Sequence, residues 1–385
     1  MKARFDRVLA LAGSHGLAVV LLLLLSVLTL LGTLEQVDHG LHAVTEMYFA
    51  SLFVVHDFFG VVPIPLPGIY LLLMVLFVNL LCGGIIRARR GWRHWGLLVA
   101  HFGILLLLAG SFVGFEYSLR GYMTLFEGKS ASEFVSYGAW EVAVADVSDG
   151  LPYTEHLIPM ADMAPGVGAV TFESEGLPFD LTLEGYLQNT RAVPADAAGG
   201  GDVIDGFRLA ALDGEREVER NVPGAYVAVR EKGTGSVHRG ILWGMSRFPW
   251  VVTVGDRHWS VDLRRVTWSL PFSLRLDEFT RDLHPGTGIA RSFISDVTII
   301  EGTLRRRARI SMNEPLRHGG YVLYQASWGP ADAGPSDRLY SSLAVVRNPA
   351  DQFPLYACSL ICLGLLVHFS LRLAGYLREQ GERRA

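Results

Sequence analysis

His101, His94 and His368, in or beside long apolar stretches, are the side chains whose type and position most invite chemistry. His101 lies within WGLLVAHFGILLLLAGSFVGF, Trp95 to Phe115, a run without a charged residue. An imidazole about two turns inside hydrocarbon requires a partner, since a charged, unpaired group there costs roughly a few kcal/mol. Two chemistries satisfy it: a hydrogen bond to a neighbouring helix, or coordination of a transition metal through a neutral ring nitrogen. His94 is seven residues earlier, so a helix puts it on nearly the same face, but beside Arg93 at the water boundary it needs no partner. His368, in PLYACSLICLGLLVHFSLRL, is four residues before Arg372. Its distance from that end predicts a depth comparable with His101, which makes it a rival second ligand or a polar anchor near the interface.

The remaining candidates read more plainly. His39, His42 and His56 fall in EQVDHGLHAVTEMYFASLFVVHDFF with no spacing typical of a metal site. His284 in LHPGTG and His318 in NEPLRHGG sit in turn-like contexts, as surface histidines or metal or cofactor contacts, and Arg305, Arg306, Arg307 and Arg309 alternate along a strand as a solvated face, with an anion site the other reading. Cys82, Cys358 and Cys362, the three cysteines, all belong to apolar stretches, where thiols pack as small hydrophobes. The long polar segment therefore has no disulfide or thiol-exchange chemistry of its own. It also lacks G-x-S-x-G, H-E-x-x-H and a Gly-rich phosphate loop, so it reads as a binding or scaffolding region with no catalytic residue. A net charge of −4 without a basic face gives no reason to expect nucleic acid.

The elements that position these residues follow from hydropathy and charge. The chain is 50% hydrophobic and 19% charged, which suits a part in lipid and a globular part. Four runs are long enough to span a bilayer: 16–34, 68–86, 95–115 and 354–373. The first follows a basic segment, 1–15, and no small-x-small cleavage site succeeds it, so it is expected to be a retained helix rather than a signal peptide. Residues 35–67 read as an extracytoplasmic interfacial loop with a short amphipathic helix, closed by prolines. Arg87, Arg89, Arg90 and Arg93 crowd the loop 87–94, and the tail 374–385 is again basic. Short cytoplasmic loops collect such residues, so both termini and this loop are expected inside, and 116–353 outside. That long segment alternates apolar and polar positions between Gly, Pro, Asn and Asp, as in PFDLTLEGYL and SSLAVVR. It predicts a β-rich domain, sandwich-like or barrel-like, with RAVPADAAGGGD at 191–202 as its most flexible loop.

In order along the chain, LGTLEQ, NLLCGGIIR, HFGILLLLAGSFVGF with GYMTLFEGKS, FTRDLHPGTGIARSFISDVTII and ISMNEPLRHGGYVLYQASW resemble the ResB family of cytochrome c biogenesis, System II. The resemblance implies a bacterial inner-membrane subunit whose large domain is periplasmic or otherwise extracytoplasmic. It implies a ResC/CcsA-type membrane partner, apocytochrome c as client, and haem b carried across the membrane for attachment to CXXCH. His101 matches the family's transmembrane haem ligand, and the partner's WWD motif has no counterpart here. The resemblance thus implies a non-catalytic or co-catalytic subunit of a holocytochrome c synthetase; a scaffold that binds no haem is the other reading.

Overall fold

In a computed structural model, the structure describes residues 2–58, 62–89, 91–150, 154–160, 163, 168–197, 201–285, 290–330 and 338–384. The chain divides into two compact units, residues 1–118 with 348–385, and residues 119–347.

The first unit is helical. Its helices are α1 (Lys2–Ala12), α2 (His15–Val44), α3 (Ile69–Leu80), α4 (Trp95–Tyr117) and α5 (Phe353–Arg384). Four helical segments are long and apolar enough to cross a membrane: Asp6–Phe49, Ile69–Ile86, Trp92–Tyr117 and Phe353–Arg383. Ser14 starts α2, its hydroxyl accepting the Leu17 N–H at 3.2 Å. The buried Asn79 side chain ties the joint between α1 and α2 to α3 by donating to the Ala12 and Ser14 carbonyls, at 2.6 and 3.0 Å. Leu21, Leu28, Val44, Tyr48, Ile69 and Leu72 form the core in which α2 packs on α3.

Two segments differ from their expected form. Residues 35–44, within the stretch expected to be a loop with a short amphipathic helix, continue α2, where Glu35 and His39 face each other one turn apart and bond at 2.9 Å. Gly40 then takes φ 80°, a left-handed conformation that suits glycine, and kinks the helix. Beyond a π-helical turn, Thr45–Phe49, the proline-rich stretch is one strand of a two-stranded hairpin, Phe53–Phe58 against Val62–Pro67. Pro63, Pro65 and Pro67 alternate along it, so all three occupy the same side of a strand that has one neighbour. The basic tail is likewise part of α5, which runs to Arg384.

The second unit is built of mostly antiparallel sheets, sandwich-like and not a closed barrel. Its longest strand, Arg257–Leu283, pairs along its first half with Ser130–Asp146 and along its second with Ala290–Glu301. Breaks in register near Arg265 and Ser269 let the two halves serve different cores. One core holds Trp140, Val142, Val144 and Val261 with Phe179, Leu181, Leu183 and Val227 from a separate four-stranded sheet. The other holds Leu125, Phe134, Leu274, Leu276, Ile310, Leu323 and Leu343. Strand Tyr340–Arg347 buries every second residue, as the sequence alternation requires. Part of the stretch expected to be a flexible loop is paired: Thr190–Pro194 is a strand against Phe207–Ala211, while residues 198–200 lie outside the described residues.

Candidate functional site

Of the two histidines expected to share a site, His101 belongs to α4 and His368 to α5, and the packing of these two helices decides how they relate. The α4–α5 face is lined with small residues. A Cβ at Gly96 would run into the backbone of Gly364 and His368; one at Gly364 would meet Ala100 N at 2.5 Å and Gly96 O at 2.6 Å. At Gly103 it would meet the Ala357 carbonyl at 2.9 Å. The helices therefore touch backbone to backbone, as small residues permit in membrane bundles. The contacts also give an antiparallel register, with Gly96 level with 364–368 and Gly103 level with 357–361.

This register separates His101 from His368. His101 is level with about residue 361 of α5, so His368 lies about seven residues nearer the start of α4, ~10 Å at 1.5 Å per residue. The comparable depths expected from counting back to Arg372 are not found, because the register is set by which glycines meet. His368 is instead level with His94, at the end of the turn Trp92–His94 that packs on α5. Its Nδ1 is buried and has no hydrogen-bond partner among the described residues.

His101 is held differently. Residues Leu81–Ile86 continue α3 as a π-helical turn, and the last carbonyls of a helix have no partner within it. The Gly84 carbonyl is one of these, and His101 Nδ1 lies 3.2 Å from it. A carbonyl only accepts, so Nδ1 carries the proton and donates, leaving Nε2 with its lone pair. Among the described residues Nε2 has no hydrogen-bond partner. Gly84 has to be small here, because a Cβ would sit 2.9 Å from Nδ1. An imidazole pinned through Nδ1–H to a backbone carbonyl is the usual disposition of a metal-binding histidine. The donor chemistry of Nε2 thus fits a haem iron, and His368 is not at that level to share it.

The face of α4 that carries His101 continues through Leu105, Leu108, Phe112 and Phe115 by helical spacing. Leu105 is buried, whereas Phe102, one residue past His101, is exposed. From Leu108 outward a groove of about 560 Å³ opens between α3 and α4, lined by Leu73, Met74, Phe77, Leu108, Phe112 and Phe115. At its far end the Tyr70 hydroxyl donates to Glu116 at 2.8 Å, and the Tyr70 ring packs on Phe112 and Phe115 with centroids 5.7 and 5.8 Å away. A half-buried histidine, an apolar slot and a polar rim follow one another along α4.

Two further groups of side chains built around histidines were unanticipated. His56 is buried, its Nδ1 2.5 Å from the Tyr48 hydroxyl and 3.4 Å from Glu35, which also bonds His39. Only the Glu35–His39 spacing was legible; Tyr48 and His56 meet through the hairpin. His318 packs edge-on against Phe272, centroids 4.8 Å apart, and bridges Glu301 and Arg306. His284 is exposed, and residues 286–289 of its motif lie outside the described residues. The cysteines are free, Cys82 buried and Cys358 and Cys362 exposed on α5.

The ResB-like family matches residues 82–157 and 235–337 of this chain. A cytochrome c biogenesis protein CcsB of Synechococcus sp. (strain CC9605) is 30% identical over 135 residues, 33% of this chain and 29% of that protein. A protein of the same name from Picosynechococcus sp. (strain ATCC 27264 / PCC 7002 / PR-6) is 36% identical over 86 residues, 22% of this chain and 18% of its own length. The chain thus spans less than a third of the curated relatives it matches. The resemblance to the ResB family is borne out by these matches; His94 and His101 lie inside the first matched segment and His368 outside both.

Proposed function

From the premise that the chain is ResB-like across residues 82–157 and 235–337, we propose that it is a membrane subunit of cytochrome c biogenesis that handles haem at His101. The observation that carries this reading is the tautomer of His101: Nδ1 is committed to the Gly84 carbonyl, and Nε2, unpartnered among the described residues, is a ligand in an apolar setting. Haem b, if bound, would supply an iron that His101 Nε2 would hold. Gly84 orients the ring, Leu105 and Leu108 exclude water beside it, and the second ligand comes from a ResC/CcsA-type partner. Arg87, Arg89 and Arg93 close to the start of α4 put that end on the cytoplasmic side by the charge rule, with apocytochrome c served by the β unit in the periplasm or its equivalent. The names of the relatives support the biogenesis role.

The bond to Gly84 also favours a second reading, in which His101 only caps a helix end and the chain is a scaffold. The test is to co-purify the chain with its membrane partner and record the visible spectrum. His101→Ala is expected to remove most of the Soret absorbance while the complex stays assembled, with partial return on adding imidazole. Full haem content in an assembled His101→Ala complex would leave the scaffold.

A further inference from the structure

The ten-stranded sheet of the β unit ends in two strands that are also close in sequence, Leu304–Ser311 and Leu316–His318. The sheet curls until these end strands approach, and a bridge between Ser311 and Glu314 closes the turn that follows the first of them. The seam so left open holds a cavity of about 330 Å³ lined by Ile299, Glu301, Leu304, Arg305, Arg306 and His318. His318 spans it. Arginine only donates, so His318 Nδ1, 3.4 Å from Arg306 Nη2, is the acceptor, and its Nε2–H donates to Glu301 Oε1 at 2.8 Å.

Charge is distributed unevenly along the edge strand. Arg309 makes a two-point pair with Asp296 at 2.8 and 3.0 Å. Arg307 lies near Asp277, whose carboxyl is raised by burial but held below its ordinary range by the Thr298 hydroxyl, Arg275 and, least, Arg307. Arg305 has no carboxylate partner among the described residues, and the hydrogen-bond partner of the Arg306 side chain among them is His318. Glu301, the one acid of the cavity, is engaged by His318. Arginine on a sheet edge does guard against edge-to-edge pairing, but that role requires charge alone. Here Arg305 and Arg306, without a carboxylate partner among the described residues, line a cavity beside Leu304, which is 71% exposed.

We propose that this seam binds a carboxylate carried on an apolar body, with Arg305 and Arg306 as its cations and Leu304 against its hydrocarbon part. Guanidiniums match a carboxylate with paired N–H donors. A porphyrin propionate and a fatty acid share this chemistry. The site is independent of His101, and its presence or absence leaves the haem reading to its own spectrum.

The experiment uses the full chain in detergent and measures modification of individual arginines by phenylglyoxal, located by mass spectrometry. The added probes are metal-free protoporphyrin IX, laurate and the methyl ester of each. At least one of the two acids is expected to slow modification of Arg305 and Arg306 several-fold, with Arg309 unchanged and the esters inactive. The acid that protects at lower concentration identifies the source. Glu301→Gln, which removes the opposing charge and keeps an acceptor for His318, is expected to lower the half-protecting concentration several-fold. No protection by either acid, equal protection by the esters, or no tightening in Glu301→Gln overturns the proposal.

Discussion

Two faces of α4 are packed by opposite means. Toward α5 the helix offers Gly96, Ala100 and Gly103, all buried, and the chains meet at the backbone with no room between. Toward α3 it offers His101, Leu108, Phe112 and Phe115, and bulky groups hold the helices apart around a groove of about 560 Å³. Small residues close an interface because backbones approach until main chain meets main chain. Large ones leave gaps wherever their shapes do not interlock. One helix is thereby anchored on one side and available to a ligand or a partner on the other.

The largest expected effect comes from breaking the anchored face. Gly96→Leu inserts a side chain where the backbone of Gly364 and His368 already lies, so relief requires the helices to separate. Overpacking commonly costs ~1–3 kcal/mol and here falls at the upper end or beyond, since no flexible group can yield. Thermal unfolding of the detergent-solubilised chain is expected to shift down by many degrees. An unchanged midpoint would mean that α4 and α5 do not meet at these glycines.

A smaller and more local effect is expected at the open face. Gly84→Ala brings a methyl to 2.9 Å from His101 Nδ1, which displaces the ring while sparing the α4–α5 contact. Haem content, or the low-spin signal of bound haem, is expected to fall with little loss of thermal stability. A drop in stability matching that of Gly96→Leu would erase the distinction between the faces. The smallest effect belongs to the rim, where Tyr70→Phe deletes a single exposed hydrogen bond to Glu116. Such a bond contributes ~0.5–1.5 kcal/mol, and at an exposed site the lower figure applies. Thermal unfolding is expected to move by a degree or two with haem content kept.

How far the sequence could be read depended on the range of the interaction. The apolar run around His101 was legible because length and absence of charge are local properties. The extension of α2 through EQVDHGLH was missed, since polarity suggested a loop whereas Glu35 and His39 support a further turn. The prolines before α3 suggested a break and proved to be one strand of a hairpin, because alternate positions there need no donor. The pairing of His368 with His101 failed for a different reason. Counting residues to a charged end measures depth along one helix, whereas relative depth depends on where two helices cross. Likewise, Arg305 to Arg309 looked like one solvated run, yet Asp277 and Asp296 compensate two of its members and leave Arg305 and Arg306 at the seam.

The sequence by itself determined the apolar helices, the β-rich segment and the presence of one uncharged run with a histidine inside it. Hydrophobic length and alternation are properties of neighbouring residues, and burial follows them without reference to the rest of the chain. Only the tertiary structure decided that His101 donates to Gly84, that His368 lies level with His94 and that two arginines overlook an open seam. Each of these rests on an approach between segments far apart in the chain, where a glycine, a helix end or a sheet edge sets the geometry and no local pattern records it.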